Sequence, residues 1–228
     1  MRLSIIVPVL NESAGISASL HALAPLRARG AEVIVVDGGS VDETAKLAKP
    51  LADVVIASAR GRATQMNAGA AIARGDVLLF LHSDTRLPAD TDRLVQDGLA
   101  QSQRAWGRFD VSIEGKHPLL PLVAALMNAR SRLTGITTGD QAMFVMRDAF
   151  IAAGGFPEIA LMEDIALSKR LKRTSRPLCL RERAITSGRR WDKHGVLRTI
   201  WLMWRLRLAY FFGADPAQLA RRYGYGGG

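Results

Sequence analysis

Five consecutive apolar residues, Val77-Leu78-Leu79-Phe80-Leu81, stand between Gly75-Asp76 and the polar run His82-Ser83-Asp84-Thr85. So short a run, with no polar alternation, predicts a strand covered on both faces. Such strands belong to parallel sheets sandwiched between helices, where ligands gather beyond the carboxyl ends. The residues delivered to that end are His82, Ser83, Asp84 and Thr85. A carboxylate there can hold a hard cation, and the cation can bridge two phosphates and neutralise charge on a departing diphosphate. Asp84 also reads as a helix cap ahead of Pro88.

The chain before this strand repeats the strand-then-helix rhythm. Leu3 to Val7 predicts a buried strand that Pro8-Val9-Leu10-Asn11-Glu12 ends, since Pro8 lacks an N–H for pairing. Ser13 is placed to cap a helix reaching Arg29, with Ile16, Leu20 and Leu23 on one face and Gly30 as its stop. Glu32 to Val36 predicts a second buried strand, followed by Asp37-Gly38-Gly39-Ser40. The glycines permit a tight turn close to a ligand, and Asp37 can accept hydrogen bonds from a base or ribose. Ser40 to Lys49 reads as a helix and Asp53 to Ala57 as a strand, so the unit is parallel α/β with right-handed crossovers. Arg60-Gly61-Arg62 then opens a helix of small residues to Ala71. Arg60 and Arg62 can meet phosphate oxygens at the helix start, and Gln65 and Asn67 offer amides to a base.

Beyond the central strand, helices are predicted over Thr91 to Gln101 and Pro118 to Met127, with a half-buried strand over Gly107 to Ile113 between them. Gly139-Asp140-Gln141 leads into a strand over Ala142 to Met146, and Asp148 caps a short helix ending at Gly154-Gly155-Phe156. Leu161 to Leu171 predicts a helix with Glu163-Asp164 at its start, where the helix dipole alone would favour carboxylates. Leu178 to Leu180 and Ala184 to Thr186 read as two short strands. Ser187-Gly188-Arg189-Arg190-Trp191 is a cationic and aromatic cluster, and Val196 to Phe212 is a helix with a stripe of Leu197, Ile200, Trp201, Trp204, Leu208 and Phe211. Asp215-Pro216 starts a last helix, and Gly226-Gly227-Gly228 reads as a frayed end.

Composition narrows the partners. The formal net charge of +10, with arginine concentrated beyond Arg170, suits an anionic partner. The single Cys179 excludes an internal disulfide and fits a reducing cytoplasm, and no Cys/His spacing suggests zinc. No uncharged apolar run is long enough to span a bilayer, and the first residues lack the features of a signal peptide.

In this order, Pro8 to Glu12, Asp37 to Ser40, Gly61 to Ala70, His82 to Thr85, Gly154-Gly155-Phe156, Met162-Glu163-Asp164 and Arg190-Trp191 resemble the family 2 glycosyltransferases that use nucleotide sugars. The short bacterial members are nearest. The resemblance covers residues 3–191 and implies a GT-A fold: a Rossmann-like, mostly parallel central sheet flanked by helices, here with a C-terminal helical extension. The expected catalytic domain is 1–192, with a nucleotide-binding half 1–100 and an acceptor-binding half 101–192, followed by a helical tail 193–228.

The resemblance also implies roles. Glu12 and Asp37 would hold the uracil and ribose side of the donor, a UDP-sugar being favoured. Pro8, Asn11, Gly39, Arg62, Gln65, Asn67, Ser83, Asp84, Arg190 and Trp191 would complete the nucleotide-sugar site. Asp84 would hold a divalent metal, Mg or Mn. Asp164 would be the base that deprotonates an acceptor hydroxyl, with Glu163 as the alternative. Asp140, Gln141 and Trp191 would face the acceptor, and one sugar would move with inversion and no covalent intermediate.

Two departures matter. His82 and Thr85 replace acids usual in the metal motif, leaving Asp84 as its one carboxylate. Ser187 replaces the Gln of Gln-x-x-Arg-Trp, the mark of processive polymerases, so single transfer is expected.

Rival classes lack their own marks. A nucleotidyltransferase would open with a Gly-rich loop and an Arg near the first strand, where this chain has Pro8 to Glu12. A non-catalytic nucleotide-sugar-binding relative has no need to keep both Asp84 and Asp164. A nucleic-acid partner is not expected, because no aromatic-basic alternation of an RNA-binding sheet is present. The Trp/Arg helix beyond Val196 suits peripheral contact with an anionic inner membrane face. Its alternatives are packing on the body or a homodimer contact, since Arg207 interrupts the stripe. Membrane contact would favour a lipid-linked acceptor.

Overall fold

The computed structural model describes residues 1–224, and the Gly226-Gly227-Gly228 end lies outside them. The first half follows the strand-helix rhythm: β1 (Leu3–Val9), α1 (Ile16–Ala28), β2 (Glu32–Asp37), α2 (Thr44–Ala48), β3 (Val54–Ala57), α3 (Arg62–Ile72) and β4 (Val77–Phe80). β1 lies between β2 and β4, all parallel, and β3 adds parallel to β2. Side chains alternate between two cores. Ile5, Val7, Val33, Val35 and Leu79 pack with α1 on one face; Ile6, Ile34, Val36, Leu78 and Phe80 pack with α3 on the other. Burial on both faces is why these strands carry no polar alternation.

Small residues let α3 lie close to the sheet. A Cβ on Gly69 would stand 2.5 Å from Ile6 Cγ2 and 3.0 Å from Val36 Cγ2, closer than side chains can approach.

The second half contains β5 (Thr85–Arg86), α4 (Thr91–Ser102), β6 (Trp106–Glu114), α5 (Leu120–Thr134), a 3-10 turn (Gly139–Gln141), β7 (Phe144–Met146), α6 (Arg147–Ala152), α7 (Glu163–Leu171), β8 (Leu178–Ser187), α8 (Arg189–His194), α9 (Val196–Phe211) and α10 (Pro216–Tyr223). The sheet order is β3-β2-β1-β4-β7-β6-β8-β5, with β7 antiparallel to both neighbours and β8 parallel to β6. The sheet is mostly parallel. Buried Arg108 on β6 braces α5, bonding Asp110, Ser131 Oγ and the Asn128 carbonyl.

Several local expectations are corrected. The N-cap of α1 is Gly15, and Ser13 lies in the turn before it with its backbone N–H donating to Asp42 Oδ2. The helix expected over Ser40 to Lys49 is confined to α2, since Ser40 and Asp42 bond the neighbouring loop. The two short strands near Leu178 and Ala184 are one strand, bridged across an irregularity between Phe109 and Asp110 of its partner. Thr85-Arg86 pairs with Ile185-Thr186, an edge strand too short to leave a sequence pattern.

The C-terminal helices join the body at one side. Leu206, Leu219 and Ala220 form a core with Leu161, Met162 and Ile165 at the start of α7. Val196 packs with Val111, Leu120, Val123 and Trp191.

Candidate active site

The carboxyl ends of β1 and β4 open into a cleft of about 790 Å³, a volume suited to a small organic ligand. β1 and the loop after it supply Pro8 and Glu12, α3 and its approach supply Arg60, Arg62 and Gln65, and the loop after β4 supplies His82, Ser83 and Asp84. The opposite wall holds Asp140, Glu163, Arg190, Trp191 and Tyr223. The lining is therefore a mixture of carboxylates and guanidinium groups, as a polyanionic ligand with hydroxyls requires.

Asp84 is half-buried and loosely engaged. Thr85 Oγ1 is 3.5 Å from its Oδ1, and Arg189 Nη2 lies 3.9 Å from its Oδ2 and 3.8 Å from Glu12 Oε2. Among the described residues no three His, Cys, Asp or Glu side chains gather as a metal cage. One open carboxylate could hold a hard divalent cation such as Mg or Mn only if other oxygens completed its shell.

His82, at the place of a usual acid, turns its ring to Asp140 instead, Nδ1 to Oδ1 at 3.3 Å. Burial pushes the Asp140 carboxyl up, but the His82 hydrogen bond and charge, with Arg62 and Arg190, outweigh it and leave the carboxyl below its usual range. The approach is tight, since a Cβ on Gly139 would stand 2.3 Å from the His82 ring.

Asp164 occupies a smaller recess of about 90 Å³ that shares Arg62, His82, Asp140, Glu163, Met203 and Tyr223 with the cleft. Backbone N–H groups fix its carboxylate: Gly139 donates to Oδ2 at 3.0 Å and Ile165 to Oδ1 at 2.7 Å. Burial, and then the charge of adjacent Glu163, push the Asp164 carboxyl up to about 7. Met162, immediately before this pair, has φ 73°, a strained geometry for a non-glycine residue. Glu163 is buried and walls both spaces.

The β2 turn lies beside the cleft. Asp37 Oδ2 accepts from the Gly39 and Ser40 N–H groups at 3.2 and 3.0 Å, while its buried Oδ1 has no partner. Asn11, at φ 52°, ties the turns together: its N–H donates to Ser40 Oγ and its Oδ1 accepts from the Val41 N–H. Asp37, Gly39 and Asn11 do not themselves line the cleft.

Two amides serve the scaffold instead of the site. Asn67 bonds the Phe156 backbone with both ends of its amide, and Gln141 is fully buried against Thr138 and Asn128. The structure brings neither into the cleft. Gln65 reaches it, but its Nε2 is taken by the Val9 and Val36 carbonyls at 2.8 Å each.

Sequence reasoning missed two residues here. Arg207, which breaks the apolar stripe of α9, turns into the Asp164 recess, where burial draws its guanidinium below the usual arginine range. Tyr223 stacks over Arg190, 3.6 Å from guanidinium carbon to ring centroid, and its carbonyl accepts from Arg190 Nη2 at 2.8 Å. An arginine out of place in an apolar stripe was the one signal available; Tyr223 gave none.

A family model described as Glycosyl transferase family 2 matches residues 4–152. A "PGL/p-HBAD biosynthesis glycosyltransferase" of Mycobacterium tuberculosis is 38% identical over a 96-residue alignment that covers 39% of this chain and 38% of that protein. Among solved structures, S. aureus TarS 1-349 in complex with UDP-GlcNAc is similar with TM-score 0.65 and 18% identity, over 82% of this chain and 58% of that one. Mannosyltransferase PcManGT from Pyrobaculum calidifontis, in complex with GDP-Man and Mn2+, is similar with TM-score 0.68 and 21% identity, over 98% of this chain and 69% of that one. At these identities the solved structures speak to the GT-A fold alone. The chain thus spans well under two thirds of the mycobacterial relative and 58% of the staphylococcal one.

Proposed function

This chain belongs to glycosyl transferase family 2, and from that premise we propose that it moves one sugar from a nucleotide diphosphate sugar to an acceptor hydroxyl, inverting the anomeric carbon. The observation that carries the reading is the shared wall: the Asp84 cleft and the Asp164 recess meet at Arg62, His82, Asp140 and Glu163. A diphosphate seated at Asp84 then has its sugar directed toward Asp164.

Each residue has a task in that reaction. Asp37 Oδ1 is buried beside the cleft without a partner, so a base N–H such as that of uracil, which would favour a UDP-sugar, reaches it only if the β2 turn opens. Asp84 would hold Mg or Mn, which would offset charge on the diphosphate. Asp164 takes the acceptor O–H proton as the oxygen attacks the anomeric carbon. The bond from that carbon to the diphosphate oxygen breaks, and its electron pair leaves with the diphosphate. Arg62, Arg189 and Arg190 stand around the growing negative charge. A carboxyl poised near 7 is matched to proton transfer at neutral pH, and its two backbone donors fix the oxygens' direction. Trp191, buried in the cleft wall, supplies a flat apolar surface for sugar or acceptor. Ser187 in place of glutamine is consistent with a single transfer.

A thermal-shift panel of UDP- and GDP-sugars, each with and without Mn or Mg, tests the reading. A bound donor at 100 times its Kd raises stability by about 2.7 kcal/mol. The expected result is a metal-dependent shift with at least one UDP-sugar. A flat response to every nucleotide sugar with both metals defeats the proposal.

A further inference from the structure

The helix that covers the Asp164 recess has a second, unpartnered side. Leu197, Trp201, Trp204, Leu208 and Phe211 recur at helical spacing along α9, and each is 59–74% exposed. Phe212 extends the stripe at 77%. α5, which shares a core cluster with α9, exposes Leu122, Leu126 and Leu133 at 56, 62 and 78%. Single exposed apolar residues are ordinary, but five at helical spacing along one helix are a surface made to be covered.

The charges around the stripe select the cover. Exposed Arg198 and Arg205 follow Leu197 and Trp204 along its edge, and Arg205 lies over the Trp201 ring at 5.1 Å. Lys193, Arg221 and Arg222 are exposed nearby, against the acids Asp192 and Asp215. A second copy would set like charges against each other; an anionic surface complements them. Tryptophan and arginine beside leucine are the composition of a helix lying in the headgroup region. At 16 residues α9 is about 24 Å long, and no described helix is long and apolar enough to cross a membrane, so the helix lies flat.

We propose that the exposed face of α9 docks this protein on a bilayer carrying anionic headgroups. The inner side of the same helix gives Met203, Leu206 and Arg207 to the Asp164 recess. Docking therefore sets the recess about one helix diameter, some 10–12 Å, from the lipid surface. An acceptor hydroxyl borne on a membrane molecule reaches the base without leaving the interface. This deepens the transfer reading and rests on it only for the identity of the base.

Flotation of the full chain with vesicles tests the docking without any turnover. Phosphatidylcholine vesicles containing phosphatidylglycerol should carry the protein up the gradient at moderate salt, and pure phosphatidylcholine vesicles should carry at least about tenfold less. Arg198→Glu/Arg205→Glu and Trp201→Ser/Trp204→Ser should each lower partitioning at least about tenfold while nucleotide affinity stays unchanged. Wild-type protein that stays at the bottom with both vesicle types overturns the proposal. So does a dimer in light scattering that Trp201→Ser/Trp204→Ser dissociates, since a second copy then owns the face. If vesicles bind but Asp164→Asn still transfers sugar, the docking stands and the assignment of the base fails.

Discussion

The two halves of the site are held in different ways. On the side assigned to the nucleotide, β1, β2 and β4 are buried on both faces, and their end loops are cross-tied by Asn11, Ser40, Thr44 and Asp37. On the side assigned to the acceptor, α7, α9 and α10 pack over the Asp164 recess through a small cluster around Leu206 and Leu219, while α9 leaves its outer face bare among the described residues. The first arrangement holds its polar groups in place through bonds between loops. The second raises the proton affinity of one carboxyl by enclosing it, and enclosure depends on helices that come last in the chain. Substitutions on the first side should therefore act on binding, and substitutions on the second on turnover.

The sharpest break of that contrast is Asp164→Asn. Loss of a positioned base costs about 10²- to 10⁴-fold in kcat, with nucleotide affinity retained. The wild-type enzyme should gain kcat/KM as pH rises through about 7, where the carboxyl ionises. Stability should move the other way. The carboxyl holds its proton up to about 7 in the folded chain, against 3.8 for an ordinary aspartate, so the folded state binds more protons across that window. Stability then falls as pH rises from about 4 to about 7, and the Asp164→Asn substitution should flatten that fall. Near-normal turnover in Asp164→Asn would make Glu163 the base instead.

On the opposite side, Asp37→Ala should weaken nucleotide binding by about 10- to 100-fold, the equivalent of about 1.5–3 kcal/mol for a hydrogen bond to a charged group. Saturating turnover should survive. The substitution also frees the Gly39 and Ser40 N–H groups, so circular dichroism must show the fold intact. A drop in kcat with unchanged affinity would mean that the two sides are not divided as described.

The same division explains what could be read beforehand. The parallel half was legible because burial on both faces writes an unbroken apolar run, and a strand's end fixes where Asp84 must point. Asp164 was legible through Met162-Glu163-Asp164, although the helix dipole offered an equal reason for two acids there. Asn67 and Gln141 bond the scaffold, and in sequence such an amide looks like one that bonds a ligand. Arg207 was read as a flaw in an amphipathic pattern, since the enclosing surface comes from Leu161 and Met162, far away in the chain. Tertiary enclosure leaves no periodicity to read.

The smallest effect tests whether the boundary between the halves is fixed. Arg190, next to Trp191, lies under the Tyr223 ring and bonds its carbonyl, so a residue assigned to the diphosphate is tied to the last described helix. If Arg190 must leave the ring to meet the diphosphate, the stacking opposes binding. Tyr223→Ala removes that stacking and keeps the carbonyl. A cation–π contact of about 0.5–1 kcal/mol corresponds to roughly two- to fivefold, so donor affinity should rise by that factor. If Arg190 instead meets the diphosphate from beneath the ring, the same substitution loosens a prepared guanidinium and affinity falls. Isothermal titration of Tyr223→Ala with a nucleotide diphosphate and metal separates the two by sign. A rise makes α10 a restraint that the donor displaces; a fall makes it part of the donor site, and the tail then belongs to both halves.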